Sequence, residues 1–293
     1  MSILLTGSTG FVGSNFKKHF TEKNIRFFLR EDLAIPLDKR VVVHLAGIVH
    51  DLNNTVTSQE YYKVNYELTK KVYNEFLASK ANVFITLSSV KAVADEVIGS
   101  LCEQMSAQPS TTFGKSKLLA EQYIFSQEIP EGKRVYVLRP CMIHGPGNKG
   151  NLNLLYKLVS KNIPWPLGAF ENERSFCSID NLMFILNELI EREDIPSGIY
   201  NVADDEALST NELIRLIAQS QNRIPKVWNI SKKFIEGVAC IGDNLHLPLN
   251  KERLQKLTSS YVVSNAKIKA AIGKPLPVSS REGLLKTFKS FNI

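Results

Sequence analysis

Short apolar runs alternate with longer amphipathic segments along the first half of the chain. The apolar runs are typical of buried strands and lie at 3–5, 25–29, 41–47, 83–87 and 135–139. Apolar residues at helical spacing predict helices at 14–21, 59–78 and 115–127. Strands that alternate with helices in this way predict a parallel, doubly wound sheet, whose ligands bind at the carboxyl ends of the strands.

A glycine-rich turn joins the first predicted strand to the first predicted helix. Its sequence is Thr6-Gly7-Ser8-Thr9-Gly10-Phe11-Val12-Gly13. Such a turn directs several backbone N–H groups and the positive end of the helix dipole at one point, which suits a pyrophosphate. The alternative is an ordinary glycine-rich turn. We predict that the dinucleotide is bound by Gly7, Thr9, Gly10, Phe11, Val12 and Gly13.

The pattern becomes less regular after about residue 145. Helices are predicted at 152–161, 180–191 and 210–219, and strands at 176–179 and 198–202. We therefore predict an α/β protein with a Rossmann-like dinucleotide-binding domain over 1–145. A smaller, mainly substrate-binding lobe is predicted over 146–293, and some of its elements are expected to return to the first domain.

Composition and charge narrow the function. The chain has 293 residues and a net charge of +7, but its basic residues are scattered, which disfavours nucleic-acid binding. The excess of basic over acidic residues either forms a solvated surface or weakly attracts anionic small substrates. No apolar segment is long enough to cross a bilayer, and the first strand runs directly into the glycine turn, so we predict neither a membrane span nor a signal peptide.

Cysteine and histidine positions bear on metal binding and location. The four cysteines are far apart and form no CxxC pair, which predicts reduced thiols, a cytoplasmic location and no zinc site. No His, Cys and Asp residues cluster at ligand spacing, so no metal is expected. His44 ends an apolar strand and is predicted to be a satisfied core residue, whereas His50 is a candidate near the substrate.

Further motifs align behind the glycine turn. They are His44-Leu45-Ala46-Gly47, Leu87-Ser88-Ser89, Phe113-Gly114-Lys115-Ser116-Lys117 and Gly145-Pro146-Gly147. Together these resemble the extended short-chain dehydrogenase/reductase family, specifically its NAD-dependent nucleotide-sugar epimerases, reductases and dehydratases. The stretch from Gly145 to Asn151, with Arg174-Ser175, is similar to a subgroup from O-antigen and capsule gene clusters that contains UDP-sugar 4-epimerases and 4-keto-reductases.

The resemblance implies a set of roles. The cofactor is expected also to contact Leu45, Ala46, Gly47 and Lys117. In the family, a Ser or Thr shares the substrate oxygen's hydrogen bond, a Tyr moves the proton, and a Lys lowers the Tyr pKa and holds the nicotinamide ribose. Ser89 matches the Ser or Thr and Lys117 matches the Lys, but the Tyr position is Phe113, which has no hydroxyl.

Phe113 leaves three accounts open. The chain is an engineered inactive variant, or a natural member that uses another proton donor such as Ser89, His50 or water, or a protein that only binds. Dehydratases of the family carry an Asp-Glu pair directly after the Ser or Thr. Here those positions are Val90 and Lys91, so the resemblance disfavours 4,6-dehydration.

Further residues bear on the choice of ligands. Arg30 ends the second strand, where an Arg pairs with a 2′-phosphate and favours NADP over NAD. Glu31 and Asp32 follow it and weaken this argument, and the alternative is that Arg30 is only a charge on the surface. By resemblance, Arg174 binds the substrate diphosphate, the alternative being an ion pair with Asp180. Ser89 and Asn151 are the other expected substrate contacts, and Asn65 is expected to be a structural hydrogen-bonder.

The helices at 59–78 and 114–127 carry apolar residues over more than one face. Family resemblance implies that they pair with their copies in a four-helix bundle, giving a homodimer, and the alternative is burial within a monomer. The sequence thus predicts an NAD(P)-dependent UDP-sugar epimerase or 4-keto-reductase of surface polysaccharide synthesis. The rival interpretation is a catalytically silent NAD(P) and nucleotide-sugar binder.

Overall fold

The computed structural model describes residues 2–27, 40–49, 55–148, 150–245 and 250–291. Its strands are β1 (Ser2–Thr6), β2 (Asn24–Phe27), β3 (Val41–His44), β4 (Val83–Leu87), β5 (Ser100–Leu101), β6 (Arg134–Pro140), β7 (Met142–His144), β8 (Phe176–Ser178), β9 (Gly198–Val202) and β10 (Val262–Val263). Its α-helices are α1 (Phe11–His19), α2 (Ser58–Tyr62), α3 (Leu68–Ala78), α4 (Thr112–Ser126), α5 (Asn151–Ser160), α6 (Ile179–Glu191), α7 (Thr210–Ser220), α8 (Lys232–Leu245), α9 (Lys251–Thr258), α10 (Ala266–Ile272) and α11 (Ser280–Lys289).

Six strands form one parallel sheet in the order β2-β1-β3-β4-β6-β9. Every pairing in it is parallel, and the inner strands are buried along their length. Parallel strands covered on both faces require continuous apolar runs, which is the pattern that the sequence carries. The prediction of a doubly wound parallel sheet is confirmed.

The long helix predicted at 59–78 is continuous but not uniform. Between α2 and α3 the chain makes a π-helical turn, Lys63–Glu67, which places Asn65 in a fully buried position. Apolar spacing alone does not distinguish this turn from ordinary helix. Turns of this kind are frequent at functional sites because they redirect one side chain.

Two cores cover the faces of the main sheet, and a third lies in the C-terminal lobe. α6 packs Ile185, Leu186 and Leu189 into the core that also holds Phe16 of α1. The opposite face is covered through α3 and α4. The third core joins residues of α5, α7, α8, α9 and α11. Both β9 and α6 lie beyond residue 145, so the chain returns to the main sheet after the lobe has begun.

Two short parallel sheets connect the lobes. β7 pairs with β8, and β5, which follows the loop after β4, pairs with β10. The second pairing fixes the segment after α9 against the segment that follows β4. None of the described helices combines the length and the apolar character needed to span a membrane.

A buried ion pair fixes α4 to β6. Arg139 Nε lies 2.9 and 3.2 Å from the two carboxylate oxygens of Glu121, and these residues are 4% and 2% exposed. Ion pairs of this depth hold geometry because neither partner has water as a substitute. The pair therefore joins the second half of α4 to the carboxyl end of β6.

Replacing Glu121 by Ala should lower the free energy of unfolding by about 3–5 kcal/mol, because it leaves a buried guanidinium without its partner. Urea denaturation measures this loss. The matched control is Glu252→Ala, which removes an exposed ion pair with Lys256 and should leave the denaturation midpoint unchanged. Equal midpoints for the wild type and Glu121→Ala would contradict the structural role of the pair.

Candidate active site

The backbone of the glycine turn packs closely against other backbone segments. Gly7 has a φ of +68°, and a Cβ there would lie 2.5 Å from the backbone N of Ala46. A Cβ on Gly13 would collide with the carbonyl oxygen of Gly7. Only glycine fits at these two positions, so β1, the start of α1 and the segment after β3 meet at one point.

The N-terminus of α1 is open to an anion. Gly10 precedes the helix and supplies no side-chain cap, and no acidic residue lies in the first turn. Ser14 N donates to Gly10 O at 2.8 Å, so the N–H groups of Phe11, Val12 and Gly13 have no helical acceptor. Thr9 lies exposed beside them. The chemistry of this end fits a pyrophosphate.

His44 is a satisfied core residue, as predicted. Thr69 Oγ1 donates to Asn65 O, so its oxygen accepts from His44 Nε2 at 3.0 Å. His44 Nδ1 is then the acceptor for Thr6 Oγ1 at 2.7 Å, which in turn accepts from Ala46 N. Burial, assisted by the charge of Lys117, lowers the pKa of His44 to about 3. The ring is neutral and holds the ends of β1 and β3 together.

Asn65 extends this network to α4. Its amide oxygen accepts from Ile48 N and its amide nitrogen donates to Ile48 O, both at 2.9 Å. The same nitrogen donates to Ser116 Oγ, which donates to Phe113 O. The predicted structural role of Asn65 is confirmed, since its side chain fixes the segment after β3 against the beginning of α4.

Lys117 is a buried cation where β3, β4 and α4 converge. Its Nζ donates to Leu87 O at 2.9 Å and lies 3.0 Å from the point that a Cβ on Gly47 would occupy. Burial lowers the pKa of Lys117 to about 8, against the opposing effect of Glu121. Leu45, Ala46 and Gly47 follow β3 directly and are partly or fully exposed, so this segment borders the same space.

Phe113 lies in the first turn of α4 and is 8% exposed. Its ring meets the edge of Tyr61, with centroids 6.2 Å apart. A Cβ on Gly114 would collide with the carbonyl oxygen of Lys91, so the beginning of α4 packs against the turn after β4. Ser89 begins that turn, and its Oγ accepts from Lys91 N at 3.2 Å. The structure thus places Ser89, Phe113 and Lys117 on directly contacting elements.

The two other expected substrate residues lie in the C-terminal lobe. Arg174 Nε donates to Ser259 O and Nη2 donates to Ser259 Oγ, each at 3.0 Å. The alternative ion pair with Asp180 is not formed, because Asp180 pairs with Lys286. Asn151 is the exposed first residue of α5. Arg30 and His50 lie outside the described residues.

Sequence reasoning assigned no role to Lys91, which the structure places beside Ser89. It entered only as the absence of a carboxylate, yet its ammonium lies 4.3 Å from the centre of the Tyr261 ring. Tyr261 is distant in sequence and carries no motif. The available signal was the position of a lysine two residues after Ser89.

Among the described residues, no cluster of side chains suits a metal ion and no disulfide forms. No three His, Cys, Asp or Glu side chains in that part of the chain converge on a common point. All four cysteines are free thiols.

Comparisons with known proteins identify the family of this chain. The family described as "NAD dependent epimerase/dehydratase family" matches residues 3–203. A UDP-glucose 4-epimerase of Vibrio cholerae is 28% identical, over 99% of this chain and 95% of that protein.

Two solved structures share the fold. UDP-glucuronic acid 4-epimerase from Bacillus cereus, in complex with NAD, superposes with a TM-score of 0.74 at 19% identity, covering 99% of this chain and 98% of that one. RMD from Pseudomonas aeruginosa, complexed with NADPH, gives a TM-score of 0.74 at 17% identity and covers 99% of each chain. The family match spans the glycine turn, Ser89, Lys117 and Arg174, and the chain therefore belongs to the NAD-dependent epimerase/dehydratase family.

Proposed function

We propose that this chain binds NAD(P) and a UDP-sugar, and acts as a 4-epimerase or 4-keto-reductase in surface polysaccharide synthesis. The observation that carries the proposal is the buried Lys117 ammonium beside Gly47 and the carbonyl of Leu87, next to the open N-terminus of α1. We also propose a cytoplasmic location, which the four free thiols favour.

Each part of the site has a binding role in this proposal. The N–H groups of Phe11, Val12 and Gly13 donate to the pyrophosphate oxygens, and Lys117 donates to the ribose hydroxyls. When bound, the nicotinamide supplies a hydride acceptor and donor. Ser89 donates a hydrogen bond to the sugar oxygen that gains or loses charge, and Arg174 turns its guanidinium from carbonyl oxygens to the substrate diphosphate.

Phe113 lacks the hydroxyl that would transfer a proton in catalysis. Oxidation of a sugar hydroxyl releases a proton as the hydride leaves, and a phenyl ring cannot accept it. The position that Phe113 occupies, at the start of α4 and beside the turn of Ser89, is where a phenol would meet the sugar in the family's scheme. Loss of a positioned general acid or base costs about 10²–10⁴ in rate.

Restoring the hydroxyl should restore turnover. Phe113→Tyr should raise the turnover of UDP-sugars by about 10²–10⁴-fold, measured by coupled assay of the epimerised or reduced product. Phe234→Tyr, on α8 and 64% exposed, is the control and should change nothing. Equal rates for wild type and Phe113→Tyr would mean that another proton carrier operates. Binding of NAD(P) without turnover in either form would favour the silent binder.

Cofactor choice depends on a residue outside the described part of the chain. We propose a preference for NADP through Arg30, since a guanidinium binds the 2′-phosphate bidentately. Calorimetry should show that Arg30→Ala weakens NADP binding by about tenfold or more and leaves NAD binding unchanged. Arg26→Ala, exposed on β2, is the control. Tighter binding of NAD than of NADP by the wild type, with no effect of Arg30→Ala, would remove the argument for NADP.

We also propose a homodimer through α2, α3 and α4. These helices lie side by side, where Tyr123 Oη donates to Asn74 Oδ1 at 2.6 Å, and Leu119 and Phe125 each remain 38% exposed. Two copies would bury these side chains in a four-helix bundle. Light scattering should give twice the chain mass of 32.9 kDa, and Leu119→Glu should halve it. Leu154→Glu, at an exposed position of α5, is the control, and a monomeric wild type would exclude the bundle.

A further inference from the structure

Lys91 is a half-buried cation beside the candidate reaction site. It lies in the short 3₁₀ turn Val90–Ala92, directly after Ser89. Its Nζ donates to Asp95 O at 2.7 Å and lies 4.3 Å from the centre of the Tyr261 ring. The proposed catalytic scheme assigns a role to Ser89 but none to the ammonium of Lys91.

Tyr261 brings Lys91 close to Arg174. Tyr261 N donates to Glu173 O and Tyr261 O accepts from Ser175 N, so its backbone pairs with the segment that carries Arg174. The Tyr261 hydroxyl donates to Ala94 O at 2.7 Å, which fixes the ring beneath Lys91. The two cations therefore belong to different lobes but flank one residue.

The acidic groups near Lys91 are engaged elsewhere. Asp95 accepts from Ser110 N and Oγ and from Thr111, and Glu96 accepts from Gln255 Nε2. Asp95 contacts Lys91 only through its backbone carbonyl. Within the described part of the chain, neither Lys91 nor Arg174 forms an ion pair with a carboxylate.

The charge of Arg174 acts on Lys91. Burial lowers the pKa of Lys91 against the opposing charge of Asp95, and the charge of Arg174 lowers it further against that of Glu96. Arg174 donates only to neutral oxygens of Ser259 and Lys256, and burial lowers its pKa as well. A pair of cations held close together, each with donors to spare, is stabilised by an anion that both can contact.

We propose that Lys91 and Arg174 together bind an anionic group of the nucleotide-sugar, which makes Lys91 a substrate-binding residue. This inference rests on the proposed function. The group is a phosphate oxygen of the diphosphate or a carboxylate of the sugar, which share the chemistry of a delocalised anion. Arg174 binds this group with a planar guanidinium fork, and Lys91 binds it with a single positive charge.

The test is calorimetric titration of the full chain by UDP, UDP-glucose and UDP-glucuronic acid, after saturation with NAD or NADP, whichever it binds more tightly. Lys91→Met removes the charge but keeps the apolar stem over Tyr261, and should weaken binding of at least one ligand by about tenfold or more. Lys91→Arg should retain binding. Lys80→Met, exposed after α3, is the matched control and should bind as the wild type does.

The ligands separate the two sources of the anion. Equal losses for all three ligands in Lys91→Met assign the diphosphate, whereas a loss confined to UDP-glucuronic acid assigns the sugar carboxylate. Unchanged affinity for all three, with binding lost only in Arg174→Met, would overturn the pairing and leave the proposed function intact. A parallel loss of NAD affinity would overturn it too, because Lys91 would then act through the fold. A wild type that binds NAD but none of the three ligands would refute the proposed function itself.

Discussion

The buried amide of Asn65 is the contact on which the site's arrangement depends. It satisfies both backbone groups of Ile48 and reaches Ser116, and so connects the segment after β3 with the beginning of α4. The cost of leaving a buried amide unpaired makes this geometry stiff. Through Thr69 and His44 the same network continues to Thr6 at the end of β1. The glycine turn and the beginning of α4 are thereby held in one frame.

That frame keeps Lys117 desolvated between three elements, which lowers its pKa to about 8. A cation held in such a place costs stability unless a ligand oxygen or carbonyl satisfies it, and only Leu87 O does so in the described residues. Under the proposed function, Lys117 serves binding, while Phe113 supplies no group for proton transfer. The structure thus separates two properties that family membership alone would join.

Much of the fold was predictable, because its determinants are local. The inner strands β1, β3 and β4 are mostly continuous apolar runs, and the roles of Gly7 and Gly13 follow from a turn of eight residues. The π-helical turn at Asn65 was not predictable, since apolar spacing does not register one inserted residue. Nor was the approach of Lys91 to Arg174, which depends on Tyr261 and on the pairing of β5 with β10 across the lobes. The partners of Arg174, carbonyl and hydroxyl oxygens rather than Asp180, likewise come from residues distant in sequence.

A crystal structure with NAD and UDP bound tests the central claim most directly. The account predicts pyrophosphate oxygens within hydrogen-bond distance of the N–H groups of Phe11, Val12 and Gly13, and ribose hydroxyls on Lys117 Nζ. The phenyl ring of Phe113 should then face the nicotinamide where the family has a hydroxyl. A dinucleotide bound away from the glycine turn, or a Lys117 ammonium that touches no ribose oxygen, would contradict the account.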